Sequence, residues 1–361
     1  MPLDKETAAV TQAHPLPPAE IRHLRAQHAE MRERDFARIH RISEAELVAA
    51  YVGEGVVALR PDVATLLAGA AALGEVLALT RNESAVHEKI GPFEKTNFGE
   101  AASIALGKQI DLRIFPKAWA SGFAVEKADK EGATKRSLQF FDGAGDAVFK
   151  IHLRPASNLE AYDQLVAQLR TEEQSQTVSV APIEESEAVR PDAASAGELR
   201  AHWEKLTDTH QFFPMLRKLH LTRHQAVSMI DSEFATSLDL GATRALFDGA
   251  AASGVSIMVF IGSRGCIQIH TGPIHKVAPM GPWLNVMDET FHMHLRLDQI
   301  TEVWAVRKPT ADGHVTSFEA YGADKKLIIQ CFGERHEGDA ELTGWRGLIA
   351  GLPALDRSNA A

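Results

Sequence analysis

Residues Leu206 to Phe213 read LTDTHQFF and gather an imidazole, a carboxylate, two hydroxyls and two phenyl rings within eight positions. They lie in a run from Ala201 to His220 whose apolar residues Trp203, Leu206, Phe213, Leu216 and Leu219 recur at roughly helical spacing, which predicts a helix. A neutral imidazole at His210 beside large aromatic rings suits a ligand that is both a metal centre and a flat apolar body, as a haem is. Asp208 and the threonine hydroxyls are the local groups that could set the imidazole's tautomer. A second histidine grouping stands at FHMHL. His292 and His294 are two apart there, so a strand would put both on one face, where His270 or His275 could complete a divalent-metal site. Basic residues mark the ends of expected elements: Arg223 at a helix start, Lys308 before a hairpin, Arg335 after the strand LIIQCFG. Such cations are what a rim needs to hold a ligand's carboxylates.

Several chemistries are absent. The chain has no P-loop, GxGxxG, HExxH, CxxC or GxSxG motif. A net charge of −10 argues against a general nucleic-acid or anionic-membrane partner. No apolar run approaches the length of a membrane span, and the N-terminus lacks the basic start and apolar core of a secretory signal. Cys266 and Cys331 form no ligand spacing and suggest no disulfide framework, so a reducing cytoplasm is the expected compartment.

The elements that must position these residues are written twice. GAAALG at Gly69–Gly74 returns as GAAASG at Gly249–Gly254, and Gly91-Pro92-x-x-Lys95 as Gly272-Pro273-x-x-Lys276. IDLRIF from Ile110 falls on FHMHLR from Phe291, and SLQFFDGAGDAVF from Ser137 on SFEAYGADKKLII from Ser317. The offset stays at 180 or 181 residues, which is a tandem duplication. Each copy reads as helices followed by strands, so the expected fold is α+β, each half a large antiparallel sheet with flanking helices. Residues 1–18 read as a loose tail, 19–170 as the first repeat, 171–197 as a linker and 198–355 as the second repeat. Expected helices include Ala19–Arg38, a segment after Ser43, Pro61–Gly74 and Leu159–Leu169, with a hairpin turn at Asp142–Gly145. The repeat also acts as a control: His210 falls opposite Met31, so the shared fold does not require an imidazole there.

LTDTHQFF, LTRHQA, IMVFIGSRGCIQIHTGP, PWLNV and VRKPTADGHVTSFEAYG resemble the cytoplasmic haemin-handling proteins of bacteria, the HemS/ChuS type of haemin-degrading or haem-transport factor. RNESAVHEKIG, IDLRIF and SLQFFDGAGDAV match the same family in the first half. The resemblance implies one haem in a cleft, ligated by His210, with Arg113 on its opposite side. It further implies that Arg223, Phe260, Lys308 and Arg335 contact the haem face or its propionates. His87 matches a histidine proposed as a second haem contact in some members. Phe332 stands where relatives carry a tyrosine, which removes one hydroxyl from that part of the pocket. The resemblance leaves two activities open, haem carriage and haem degradation, with a haem importer, a haem oxygenase or a reductase as the implied partners.

Overall fold

The computed structural model describes residues 16–182, 194–336 and 338–355. Almost all of the expected tail and residues 183–193 of the expected linker lie outside the described residues. The first half opens with three short helices, α1 (Pro18–Gln27), α2 (Glu33–His40) and α3 (Glu44–Ala49). The expected single helix over Ala19–Arg38 is thus two helices with a break between them. Ser43 starts α3 with a reciprocal cap: its hydroxyl accepts from the Glu46 amide and the Glu46 carboxylate accepts from the Ser43 amide.

Strand β1 (Val56–Leu59), helix α4 (Val63–Ala70) and strands β2 (Val76–Arg81) and β3 (Ala85–Gly91) follow. Asp62 caps α4, and Gly74, at φ +68°, ends the helical stretch in a backbone region that L side chains avoid. A meander comes next: β4 (Lys95–Asn97), β5 (Ser103–Leu106) and β6 (Asp111–Ile114). The half closes with β7 (Ser121–Ala128), β8 (Thr134–Phe141), β9 (Ala147–Leu153) and α5 (Leu159–Leu169). The β8–β9 turn is built as expected, the Asp142 carboxylate accepting from the amides of Ala144 and Asp146.

The second half repeats this order. Helices α6 (Ala196–Trp203), α7 (Phe212–Lys218) and α8 (Arg223–Met229) precede β10 (Ala235–Leu238) and α9 (Ala242–Ser253). Then come β11 (Ile257–Gly262), β12 (Cys266–Gly272), β13 (Val277–Met280), β14 (Trp283–Met287) and β15 (Phe291–Arg296). Strands β16 (Glu302–Thr310), β17 (Gly313–Tyr321) and β18 (Leu327–Gly333) and helix α10 (Thr343–Ala350) complete it.

Each half contributes nine strands, yet the two nine-stranded antiparallel sheets are not the two halves. The first sheet runs β1-β7-β8-β9-β2-β3-β15-β14-β13, and the second β10-β16-β17-β18-β11-β12-β6-β5-β4. Each half therefore gives its three-strand meander to the other half's sheet, and the two exchanges are equivalent. The joins are β3 with β15, where His87 faces Met293, and β12 with β6, where Ile267 faces Arg113. Without the exchange β3 and β12 would be open edges. One core places α4 and α5 against the first sheet together with Leu112 and Ile114 of β6 and Cys266. The other places α9 and α10 against the second sheet together with Leu284 and Met293. Both cores mix residues of the two halves. The start of the expected linker is also held: the Gln174 side chain both donates to and accepts from the backbone of Ala58.

Candidate functional site

In an antiparallel sheet, cross-strand partners share a face, as do residues two apart along a strand. The registers put Arg113, Ile269 and Phe260 on one face of the second sheet, through the row Asp111–Ile269–Phe260–Gln330–Glu319. Phe332, Ser317 and Lys308 lie on the same face by the two-residue rule. The strand exchange is what brings Arg113, a residue of the first half, onto this face.

Helices α6 to α8 cap the β16 end of the face. The Trp203 indole donates to the Arg307 carbonyl (2.9 Å), and the Ala311 amide to the Thr207 carbonyl (2.8 Å). The expected helix from Ala201 to His220 is interrupted between α6 and α7. Asp208 starts a new 3₁₀ turn, Thr209–Gln211, that leads into α7. An aspartate favours such a break because its carboxylate can bond nearby amides in place of the helix. Its Oδ1 accepts from the His210 amide (2.7 Å) and lies 2.8 Å from His210 Nδ1. The His210 amide, ahead of other contacts, holds the Asp208 carboxyl below its ordinary pKa. A carboxylate only accepts, so Nδ1 is the donor and Nε2 keeps its lone pair. The His210 side chain is 87 % exposed, so that nitrogen is open to a ligand.

Beneath this turn lies a buried charge network. Glu319 is fully enclosed and accepts from Arg223 (2.9 Å) and Lys308 (3.2 Å). Burial alone would raise the Glu319 carboxyl; Arg223 and Lys308 outweigh it and hold the group well below the carboxylate range. Burial pulls Lys308 down to about 8 against the opposing pull of Glu319. The Phe212 ring covers both cations, with Lys308 Nζ 4.6 Å and the Arg223 guanidinium carbon 5.3 Å from its centroid. The exposed Phe213 ring stacks on Arg223 at 4.9 Å.

Arg335 follows β18 as expected and acts on the Asp208 charge, and its Nε is buried without a partner among the described residues. An orphaned donor beside an open imidazole is what a ligand-bearing site leaves when seen as protein alone. Arg113 pairs with Asp111, and Phe332 meets Phe260 edge-to-face at 5.4 Å. His210, Arg113, Arg223, Phe260, Lys308, Phe332 and Arg335 are therefore gathered on or around one face. Lys308 lies near the end of β16, ahead of the β16–β17 hairpin as expected, and is buried there at 3 % exposure.

His87 is not among them. It is fully buried on β3 in the first sheet, 4.9 Å from the Phe291 ring. His292 and His294 do share a face of β15, but His292 contacts Glu88 (3.2 Å) and His294 contacts Asn285 (2.6 Å). His270 instead stacks on Phe291 in the interior, and no group of three metal-binding side chains occurs among the described residues. Sequence reasoning missed Glu319, Tyr321 and Gln330. The signal was a charged residue inside SFEAY, an otherwise strand-like apolar run.

The duplication supplies an internal comparison. A cleft of about 930 Å³ lies on the equivalent face of the first sheet, and its lining includes Met31, Glu44, Leu79, His152 and His294. By the repeat these take the places of His210, Arg223, Phe260, Phe332 and Arg113. The same backbone thus carries a different constellation, and the open imidazole over a basic aromatic floor belongs to the second sheet.

Fold and site together define a duplicated, strand-exchanged protein that offers an imidazole and fixed cations to a flat anionic ligand. Comparison gives the family. The model of the haemin-degrading HemS/ChuX domain matches twice, over residues 41–169 and 220–352, and the chain belongs to this family. It is 39% identical to the hemin transport protein HmuS of Yersinia pestis over 329 residues, covering 91% of this chain and 94% of that one. HemS of Yersinia enterocolitica, also a hemin transport protein, is 40% identical over 90% of this chain and 93% of its own. Among solved structures, the holo form of the heme-binding protein PhuS of Pseudomonas aeruginosa superposes with a TM-score of 0.90. It is 41% identical, over 94% of this chain and 99% of that one. The heme-degrading enzyme ChuS of Escherichia coli O157:H7 gives 0.85 at 36% identity, over 92% and 97% of the two chains.

Proposed function

We propose that this protein binds one haem on the outer face of the second sheet, with His210 as axial ligand, and carries it through the cytoplasm. The observation behind this reading is the exposed Nε2 of His210, whose tautomer Asp208 fixes. Phe260 and Phe332 offer an aromatic surface, and Arg223, Lys308 and Arg335 offer positive charge to the propionates. The names of the relatives, hemin transport proteins and a heme-binding protein, support carriage. A haem importer would be the donor and a haem oxygenase the receiver, while a reductase would serve the degradation reading as the source of electrons. His210→Ala should weaken haem binding at least tenfold or replace the histidine-type Soret band. A variant with wild-type affinity and spectrum would move the ligand elsewhere.

A second reading, haem degradation, is favoured by Arg113 and by the ChuS likeness. Bound haem supplies the redox chemistry; the chain supplies orientation and charge. Arg113 stays protonated, so it forms no lasting bond to iron but offers donors and positive charge on the other side of the ligand. Arg113→Ala should therefore still load with haem and keep the histidine-type spectrum. If degradation is physiological, its loss should slow reductase-driven haem consumption by roughly 10²-fold, the scale of one lost electrostatic stabiliser. Pigment analysis with and without catalase separates the two readings: loss of haem only without catalase is peroxide-driven bleaching and leaves carriage as the role.

A further inference from the structure

Five donors converge on the buried Glu319. Its Oε1 accepts from Arg223 (2.9 Å), Lys308 (3.2 Å), Ser317 (2.7 Å) and Gln330 (2.8 Å), and its Oε2 from the Tyr321 hydroxyl (2.5 Å). Enclosing a carboxylate is costly unless cations and hydrogen bonds satisfy it, and here two cations meet one anion. The cluster therefore keeps one surplus positive charge, which the Phe212 ring shields on one side. The repeat shows that the fold does not need this charge. Gln139 holds the equivalent position in β8 and bonds only Ser137 among the described contacts.

We propose that Glu319 is a specificity-determining residue that keeps Arg223 and Lys308 side by side and protonated, so that this face selects a tetrapyrrole bearing carboxylates. The proposal rests on the haem-binding reading of the same face and adds what fixes its charge. Glu319 touches no ligand; it acts through the two cations. The charged groups acting on Lys308 are Glu319 from β17 and Arg223 from α8, and the neighbouring Tyr321 phenol is pushed up by burial and stays neutral. With burial already pulling Lys308 down to about 8, the removal of Glu319 takes away the main force that keeps it charged.

The test compares iron protoporphyrin IX with its dimethyl ester, which lacks free carboxylates, on the full chain between about pH 6 and 9.5. Wild-type affinity for the dicarboxylate should fall as pH rises past about 8, while the ester's affinity stays flat. In Glu319→Gln the fall should move at least one pH unit lower. That corresponds to about twofold weaker dicarboxylate binding at pH 7, growing toward tenfold by about pH 9, with ester binding unchanged and the histidine-type Soret band intact. Glu319→Asp should return the step toward its wild-type position, which a purely structural role would not predict. If Glu319→Gln fails to fold, Lys308→Met carries the test, and it should abolish the step and spare the ester. An unmoved step in Glu319→Gln, a step that survives Lys308→Met, or equal losses for both porphyrins would overturn the assignment. A wild-type protein that binds neither porphyrin would instead remove the haem-binding reading beneath it.

Discussion

The His210 ring takes its orientation from a single carboxylate oxygen. Asp208 Oδ1 receives both the His210 amide and its Nδ1–H, so one side chain starts the turn and sets the tautomer. An imidazole that donates to an anion is a stronger base at its other nitrogen, and loss of such a partner costs about 10–100-fold in metal affinity. Asp208→Asn retains an acceptor but not the charge. It should weaken haem binding toward that range while keeping histidine-type ligation, as read by transfer of haem to a competing apoprotein. Wild-type transfer rates and affinity in Asp208→Asn would show that the bond only decorates an exposed ring. Phe332 meets Phe260 edge-to-face at 5.4 Å. The pair continues the aromatic floor across β11 and β18.

Among the elements, the caps, turns and strands were legible because their chemistry is local. Ser43 and Thr222 announce α3 and α8, Asp142 and Gly145 the β8–β9 turn, and α5 falls on the expected residues. The break after α6 was not legible, since apolar spacing continues through it and only the Asp208 carboxylate disrupts it. The exchange of meanders was hidden for another reason. A strand's sequence records which face it buries but not which of two equivalent neighbours it pairs with. That choice has a consequence for a fragment of residues 198–355. It lacks β4 to β6, so β12 becomes an open edge, and its own β13 to β15 lose their place beside β3. The equivalence of the two joins means that a second copy could supply the missing meander in each direction. The fragment should be a strand-exchanged dimer by sedimentation, with His294 in place of Arg113. A stable monomer would show that the meander folds back onto its own half.

At the scale of the whole molecule, the two sheets meet through an interior layer that is unusually rich in titratable groups. His87 and His270 are buried there, with Lys89 Nζ 3.1 Å from His270 Nδ1. Burial holds His87 well below its ordinary pKa and His270 at about 3, and the neighbouring charge of Lys89 acts in the same direction on both. Both imidazoles are therefore neutral in the folded protein through the whole weakly acidic range. In the unfolded chain they take up protons near pH 6.5. Below that pH the unfolded state binds more protons than the folded one, so stability falls as pH falls, continuing to about 3 for His270. Each imidazole adds a slope approaching roughly 1.4 kcal/mol per pH unit, and the two together about 2–3 kcal/mol per unit. Lys89, drawn down to about 8 by burial, works at the other end: its contribution makes stability rise with pH from about 8 toward the ordinary lysine value. The repeat suggests the variant that isolates one histidine, because Gln268 stands at the position equivalent to His87. His87→Gln should retain the fold and lower the loss of stability between pH 6.5 and 5.5 by one histidine's share, about 1 kcal/mol, since burial also holds His152, His294 and His314 below their ordinary values and they add to the wild-type slope. Urea denaturation at a series of pH values measures the slope directly. If His87→Gln loses stability as steeply as wild type, protons enter the layer without unfolding it, and the two sheets part more readily than their packing implies.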